Sequence, residues 1–494
     1  MRTALLDPLV CYRAILARDR RFDGHFFVGV STTGIYCRPI CSARTPRRDR
    51  CAFFRTPAEA ERAGFRACFR CRPELAPGLA PLDSIPRLVA EAARRIDEGF
   101  LNDRSVDALA AELGVTSRHL RRAMEAFLGV TPIELAQTRR LALAKQLLHD
   151  SHASLTQIAL GSGFRSVRRF NSLFRERFGR APSAMRRDHG ATIASRGPEL
   201  VLRLGYRPPL DWDGLLGFLR GRAVPGVEHV ANGIYRRTVA VDDDVGTLAV
   251  ANDRDRAAIV VTVSPRLAGA LMPITARLKS LFDLDANPHT IGQVLSRDAR
   301  LAPLVSRRPG LRVPGAFDAF EAAVRAILGQ QVTVRAATTL AGRLVARFGR
   351  PLAADAVTES RAELTHLFPD ASRLAAARVG DIASLGIVSA RARAIVALAA
   401  AVADGSLRLD RHAPVDQTMR RLEELPGVGP WTAHYVAMRA LRHPDAFPAA
   451  DIAIRKALGG LGAREAAAQS EAWRPWRSYA VLHLWASLGD DPSP

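Results

Sequence analysis

The spacing of apolar residues changes character along this chain. Between residues 87 and 188 they return every three or four positions, the repeat of one buried helix stripe. "SVDALAAELGVTSRHLRRAMEAFLG" (105–129) predicts a helix, a glycine turn and a second helix starting near Thr116. "SLTQIALGSGFRSVRRFNSLFRERFGRAPSAMRR" (154–187) repeats that plan with Gly161 and Gly163 at the turn, and a long helix over 132–148 joins the two units. Ala108, Leu109, Leu113, Ile158, Ala159, Phe170 and Phe174 are its expected core. From 200 to 270, β-branched runs alternate with Asp, Gly and Asn, a strand-rich signature. From 286 onward, Ala-rich amphipathic patterns return.

Breaks at "RPELAPGLAPLDSIP" (72–86) and "DHGATIASRGPE" (188–199), with a softer one near 284–292, divide 494 residues into several domains. The expected segments are 1–78, 84–188, 198–285 and 286–494. The expected fold class is multidomain and mostly α.

Composition adds a partner. Net charge is +22, and the excess of Lys and Arg runs through every section. Residues 1–80 hold 15 basic against 7 acidic side chains, 81–197 hold 19 against 12, and 198–494 hold 37 against 30. A bias spread so evenly points to a polyanion, with nucleic acid first, or to an arginine-rich genome. "AIVALAAAVA" (394–403) is half a membrane span and ends at Asp404, which argues against a membrane. No secretory signal is visible at the N-terminus, so a cytoplasmic location is expected.

All six cysteines lie at or before position 71. Cys37, Cys41, Cys68 and Cys71 form C-x3-C and C-x2-C pairs, a spacing that lets four sulfurs converge on one tetrahedral zinc ion. Cys11 and Cys51 fall outside the pairs. Spacing alone leaves a structural zinc ribbon and a reactive site both open. The absence of later cysteines argues against an iron–sulfur cluster in the C-terminal half.

The flanks carry a resemblance. "ILARDRRFDGHFFVGVSTTGIYCRPICSAR" with "FFRTPAEAERAGFRACFRCRP" resembles the N-terminal domain of the Ada family, which repairs methyl phosphotriesters in DNA. The resemblance implies a small α/β zinc domain in which Cys37 accepts the methyl irreversibly while all four cysteines bind the metal. A thiol titrating near pH ~8.5 is deprotonated outright by coordination. Methylation would remove one negative charge beside Arg38, Arg44, Arg47 and Arg48 and favour DNA binding.

The double helix-turn-helix, with its I-A-x-x-x-G-F, F-x-x-x-F and G-x-x-P motif, resembles the AraC-type DNA-binding domain. It implies that the second helix of each unit enters a major groove. Ser117, Arg118, Arg121 and Arg122 are candidates in the first unit; Arg165, Ser166, Arg168 and Arg169 are candidates in the second. Phosphate contact or a solvated face remains open beside base readout for each arginine.

"LEELPGVGPWTAHYVAMRAL" (422–441), followed by Asp451 in "FPAADIAIRKAL", resembles the helix-hairpin-helix DNA glycosylases. "LGYRPPLDWDGLLGFL", "RVPGAFDAFEAAVRAILGQQV" and "WRPWRSYAVLHLW" narrow this to the AlkA type. The resemblance implies a TBP-like α+β domain followed by an all-α glycosylase domain. It implies a flipped base held by Trp485, Tyr435 and Trp431 through cation–π attraction, with Asp451 stabilising the sugar cation. Gly427, Gly429 and Thr432 would meet the DNA backbone, with room for a monovalent cation at the hairpin. Gln331 stands at the wedge, where the best-known AlkA-type members carry an apolar residue. Trp431 replaces the Schiff-base lysine of bifunctional relatives, so base removal without strand cleavage is expected. Trp473 and Trp476 are expected in the core. No P-C-H-R motif is present, so O6-methylguanine repair is not expected. The implied partners are damaged and promoter DNA and, during activation, RNA polymerase, for a monomeric protein. The rival reading is a transcription regulator whose glycosylase half only binds DNA.

Overall fold

The computed structural model describes residues 7–77, 86–189, 199–353, 363–409 and 413–489. Parts of the two expected linkers, 78–85 and 190–198, lie outside the described residues. The fold is multidomain and mostly α. The chain separates into two compact units, Met1–Pro208 with Val241–Ala276 and Leu284–Ala286, and Pro209–Ala240 with Arg277–Asp283 and Asn287–Pro494.

In the first unit, helix α1 (Pro8–Leu16) starts at Asp7, whose carboxylate accepts from the Leu9 and Val10 N–H groups. Strands β1 (Phe27–Val30), β2 (Ile35–Cys37), β3 (Cys51–Phe54) and β4 (Arg66–Ala67) form a sheet of order β3-β1-β2-β4. The β2–β4 pair is parallel, with Tyr36 opposite Ala67. That register brings the ends of both strands, and hence Cys37 and Cys68, side by side. Helix α2 (Pro57–Arg62) follows β3.

Helix α3 (Arg87–Asp97) leads into the double helix-turn-helix. The first unit pairs α4 (Val106–Glu112) with α5 (Ser117–Leu128), and the second pairs α7 (Leu155–Gly161) with α8 (Val167–Phe178). The long α6 (Pro132–Asp150) joins them, starting in a Thr131–Glu134 capping box. Hydroxyl caps at Thr116 and Ser166 set the two recognition-helix starts. Leu109, Ile158, Ala159, Phe170 and Phe174 are fully buried. Ala108 and Leu113 are only half-buried, because each lies at the edge of the stripe on a helix of two turns.

Buried charge fastens the cysteine module to this helical part. Arg72, close to 12% exposed, bonds Asp150 at the end of α6 at 2.8 Å. The Glu61 carboxylate accepts from Tyr36 Oη at 3.0 Å, from Thr138 on α6 at 2.6 Å and from Arg177 on α8. The same unit holds strands Leu200–Gly205, Asp244–Asp253 and Ala258–Val263, antiparallel about the last.

The second unit is helical apart from short strands, notably the hairpin Glu228–Ala231/Ile234–Val241. Its core gathers Leu344, Ile395, Leu398 and Val436 from three helices. Trp473 and Trp476 are buried, as expected. Among the described residues no helix is long and apolar enough to cross a membrane.

Candidate metal centre and base pocket

The register of β2 and β4 builds the first site. Cys37, Cys41, Cys68 and Cys71 place one sulfur each within 4.8 Å of the others. Tetrahedral zinc at Zn–S distances of about 2.3 Å needs sulfurs ~3.8 Å apart, so the set fits one ion. The Arg38 N–H donates to Cys71 Sγ at 3.4 Å, orienting the ligand. Cys37 and Cys68 are buried, and Cys41 and Cys71 are partly open. Cys11 is buried beside them, but burial and then Asp7 push its thiol up to about 11, which keeps it protonated. Arg38 differs from the expectation of a DNA-facing charge. Its guanidinium turns inward to Asp23 and to the Cys71 carbonyl, because Asp23 is buried and needs a counter-ion. Arg44, Arg47 and Arg48 are exposed.

On the recognition helices, Arg118, Arg121 and Arg122 are exposed on α5. Arg165 and Ser166 precede α8, with Arg168 and Arg169 on its first turn, all exposed. Ser117 is half-buried at the start of α5. Two positive faces result, free of competing core packing.

The second site is a cleft of about 1370 Å³ in the second unit, lined in part by Gln331, Trp431, Tyr435, Asp451 and Trp485. Asp451 is the N-cap of helix Ile452–Ala457, its Oδ1 accepting from Ile454 N at 2.9 Å. The same carboxylate accepts from Trp431 Nε1 at 2.8 Å and Trp485 Nε1 at 3.1 Å. Three N–H donors hold it in one orientation, the helix cap among them. Trp431 stacks on Tyr435 with centroids 5.3 Å apart and planes 20° apart, and Tyr435 meets Trp485 at 6.2 Å. The three aromatic residues and the acid therefore form one assembly.

The hairpin before helix Pro430–Arg439 turns at Gly427, whose φ of +78° requires glycine. Gly429 has φ −102°, which any residue adopts, so the turn rests on Gly427 alone. Thr432 departs from a DNA-facing position. It is 3% exposed, and its hydroxyl accepts from Gln330 Nε2 at 3.0 Å. Gln330 also donates to the Gly427 carbonyl at 2.9 Å, tying the turn that carries Gln331 to the hairpin. No sequence spacing flagged it. Gln331 itself is exposed at φ +52°.

Four family models match consecutive stretches of the chain. They are the metal binding domain of Ada over 10–74, a helix-turn-helix domain over 109–188, the AlkA N-terminal domain over 201–318 and the HhH-GPD superfamily base excision DNA repair protein over 324–477. Fold and sites thus define a base-excision glycosylase of the helix-hairpin-helix class joined to Ada-type zinc and helix-turn-helix modules. A protein of Mycobacterium tuberculosis described as a probable bifunctional transcriptional activator/DNA repair enzyme AlkA is 42% identical over 97% of this chain and 96% of its own. The chain belongs to that bifunctional AlkA family. DNA-3-methyladenine glycosylase 2 of Escherichia coli is 38% identical over 58% of this chain and 98% of its own. The solved 3-methyladenine DNA-glycosylase of Archaeoglobus fulgidus shares the fold over 58% of this chain and 97% of its own, with a TM-score of 0.50 at 22% identity.

Proposed function

We propose that this protein removes alkylated bases such as 3-methyladenine and 7-methylguanine from double-stranded DNA by hydrolysis, and separately records methyl phosphotriesters on Cys37. The observation that carries the first activity is Asp451, held by the Trp431 and Trp485 indoles in the mouth of an aromatic cleft. A ring-methylated purine is cationic and leaves without strong acid assistance. Its flipped base would meet Trp431, Tyr435 and Trp485, while Asp451 stabilises the developing sugar cation and orients water. Trp431 has no amine, so no Schiff base forms and the strand stays intact. Gln331 would fill the vacated stack, and the hairpin at Gly427 would meet phosphate, where a monovalent cation could be shared.

At the N-terminal site, a bound zinc ion supplies Cys37 as a thiolate. Cys37 Sγ attacks the methyl carbon, an S–C bond forms, the C–O bond breaks and the electron pair leaves on the phosphodiester. One methyl is taken per chain. The exposed arginines of α5 and α8 would read promoter DNA, with RNA polymerase as partner, in a monomeric cytoplasmic protein at the nucleoid. The working domains on this reading are 1–78, 84–188, 198–285 and 286–494.

The test is release of 7-methylguanine from methylated duplex DNA. Wild type releases it and Asp451→Asn does not; no release from either would refute the glycosylase reading. Peptide mass analysis after incubation with methyl-phosphotriester DNA tests Cys37, and an unmodified Cys37 peptide would refute methyl transfer.

A further inference from the structure

The floor of the aromatic cleft is crowded with guanidinium groups. Arg325 bonds Glu228 at 2.9 Å and Glu321 at 2.8 Å, and Arg237 bonds Glu321 at 2.8 Å. These two arginines use both carboxylates, since Glu228 also accepts from Tyr235 Oη at 2.6 Å. Arg222 and Arg439 are different. Each lies over the Phe218 ring, at 3.8 and 4.8 Å. Among the described residues, neither bonds a carboxylate. Arg439 is 8% exposed and pinned by the Pro314 and Gly315 carbonyls. Its Nη1 donates to Tyr435 Oη at 2.7 Å, and Arg222 shares the Phe218 ring with it and lines the same cleft.

Charge arithmetic then matters. Four arginines face two glutamates, so this buried group carries two excess positive charges beneath a pocket meant, on the reading above, for a cationic base. A guanidinium donating to the phenol oxygen, with the uncompensated charge of Arg222 close by, favours its anion. We propose that Arg222 and Arg439 hold Tyr435 as a phenolate, its proton released to solvent, making a negatively charged aromatic wall that selects cationic purines. This rests on the glycosylase reading for its substrate, but not for the charge state. Burial opposes the ionised form of Tyr435, yet Arg439, Arg222 and Arg325 hold the hydroxyl below the usual tyrosine range. Lys456, Asp318 and Asp451 also line the cleft, Asp451 bonded to the Trp431 and Trp485 indoles that pack against Tyr435. A neutral phenol accepting from a guanidinium group would be an electron-poor wall and a weak partner for a cation.

The full-length protein allows a spectroscopic test. Burial pushes Tyr36, Tyr235 and Tyr479 well above the usual range, so they stay silent near neutrality. Titrating ultraviolet difference absorbance should show one tyrosinate band well below pH ~10, the ordinary tyrosine value. Tyr435→Phe should abolish the band, and Arg222→Met should move it to higher pH. No such band in wild type, or the same band in Tyr435→Phe, overturns the phenolate. Excision supplies the second arm. Tyr435→Phe should lower 7-methylguanine release relative to neutral hypoxanthine by about tenfold, roughly the range of a desolvated cation–π contact; an unchanged ratio overturns the selection. If neither protein releases a base, the glycosylase reading falls while the absorbance still decides the charge state.

Discussion

Lys145 Nζ on α6 lies 2.9 Å from the Glu74 carboxylate, with both side chains only 4% exposed. The same ammonium donates to the carbonyl of Cys68 at 3.4 Å. Burial pushes the Glu74 carboxyl up, but Lys145 and Arg72 hold it below the usual range. A linker-helix lysine therefore reaches the metal-binding loop directly. Glu74→Ala leaves that ammonium uncompensated and should cost about 3–5 kcal/mol, the range for breaking a buried pair. Glu74→Leu with Lys145→Met should cost less. Thermal unfolding by circular dichroism measures both, and faster zinc release to a chelator from Glu74→Ala checks the link to the cysteines.

Trp431→Phe separates stacking from orientation. It keeps an aromatic ring against Tyr435 and deletes the N–H that holds Asp451 Oδ2. A hydrogen bond to a charged group contributes about 1.5–3 kcal/mol, so kcat should fall ten- to a hundredfold or so if the whole bond is realised in the transition state. Single-turnover release of 7-methylguanine reads this; an unchanged rate would show that Trp485 and Ile454 suffice.

The two hairpin glycines should respond differently. Gly427→Ala places a Cβ on left-handed backbone and should cost about 1–2 kcal/mol. Gly429→Ala meets nothing within 4 Å at an ordinary φ and should be close to neutral. Comparing urea midpoints of the two variants checks the contrast.

His483 sets an acid limit for the second unit. Burial first, and then Arg308, push its imidazole down to about 4. A histidine held below its unfolded value contributes stability that is complete above pH ~6.5 and lost as pH falls toward 4, up to about 3 kcal/mol. All five tryptophans belong to this unit, so their emission reports its unfolding. The urea midpoint should drop between pH 7 and 4.5 in wild type and drop less in His483→Gln. Equal drops would assign the acid sensitivity elsewhere.

Much of this was legible in the chain because it is written in local spacing. The cysteine pairs, the two helix-turn-helix units and the Gly427 turn are each specified within about 25 residues, and the helix caps at Thr116 and Ser166 within three. What escaped is long-range side-chain pairing. Nothing near Glu61 announces that Tyr36, Thr138 and Arg177 converge on it, and Lys145 reads as one more exposed helix residue until the fold buries it. Thr432 and Arg38 misled for the same reason. Their types suit DNA contact, but Gln330 and Asp23 claim them from distant positions.

Asp451 begins a helix with one oxygen and is gripped by an indole on each. On the proposed reading, drift at this position is penalised twice, once in the rate and once in the folded population. Alanine would confuse the two losses, since removing an N-cap costs about 1 kcal/mol by itself. Asparagine caps nearly as well, so an asparagine allele is the one whose phenotype in a cell would report lost chemistry and not a shortage of protein.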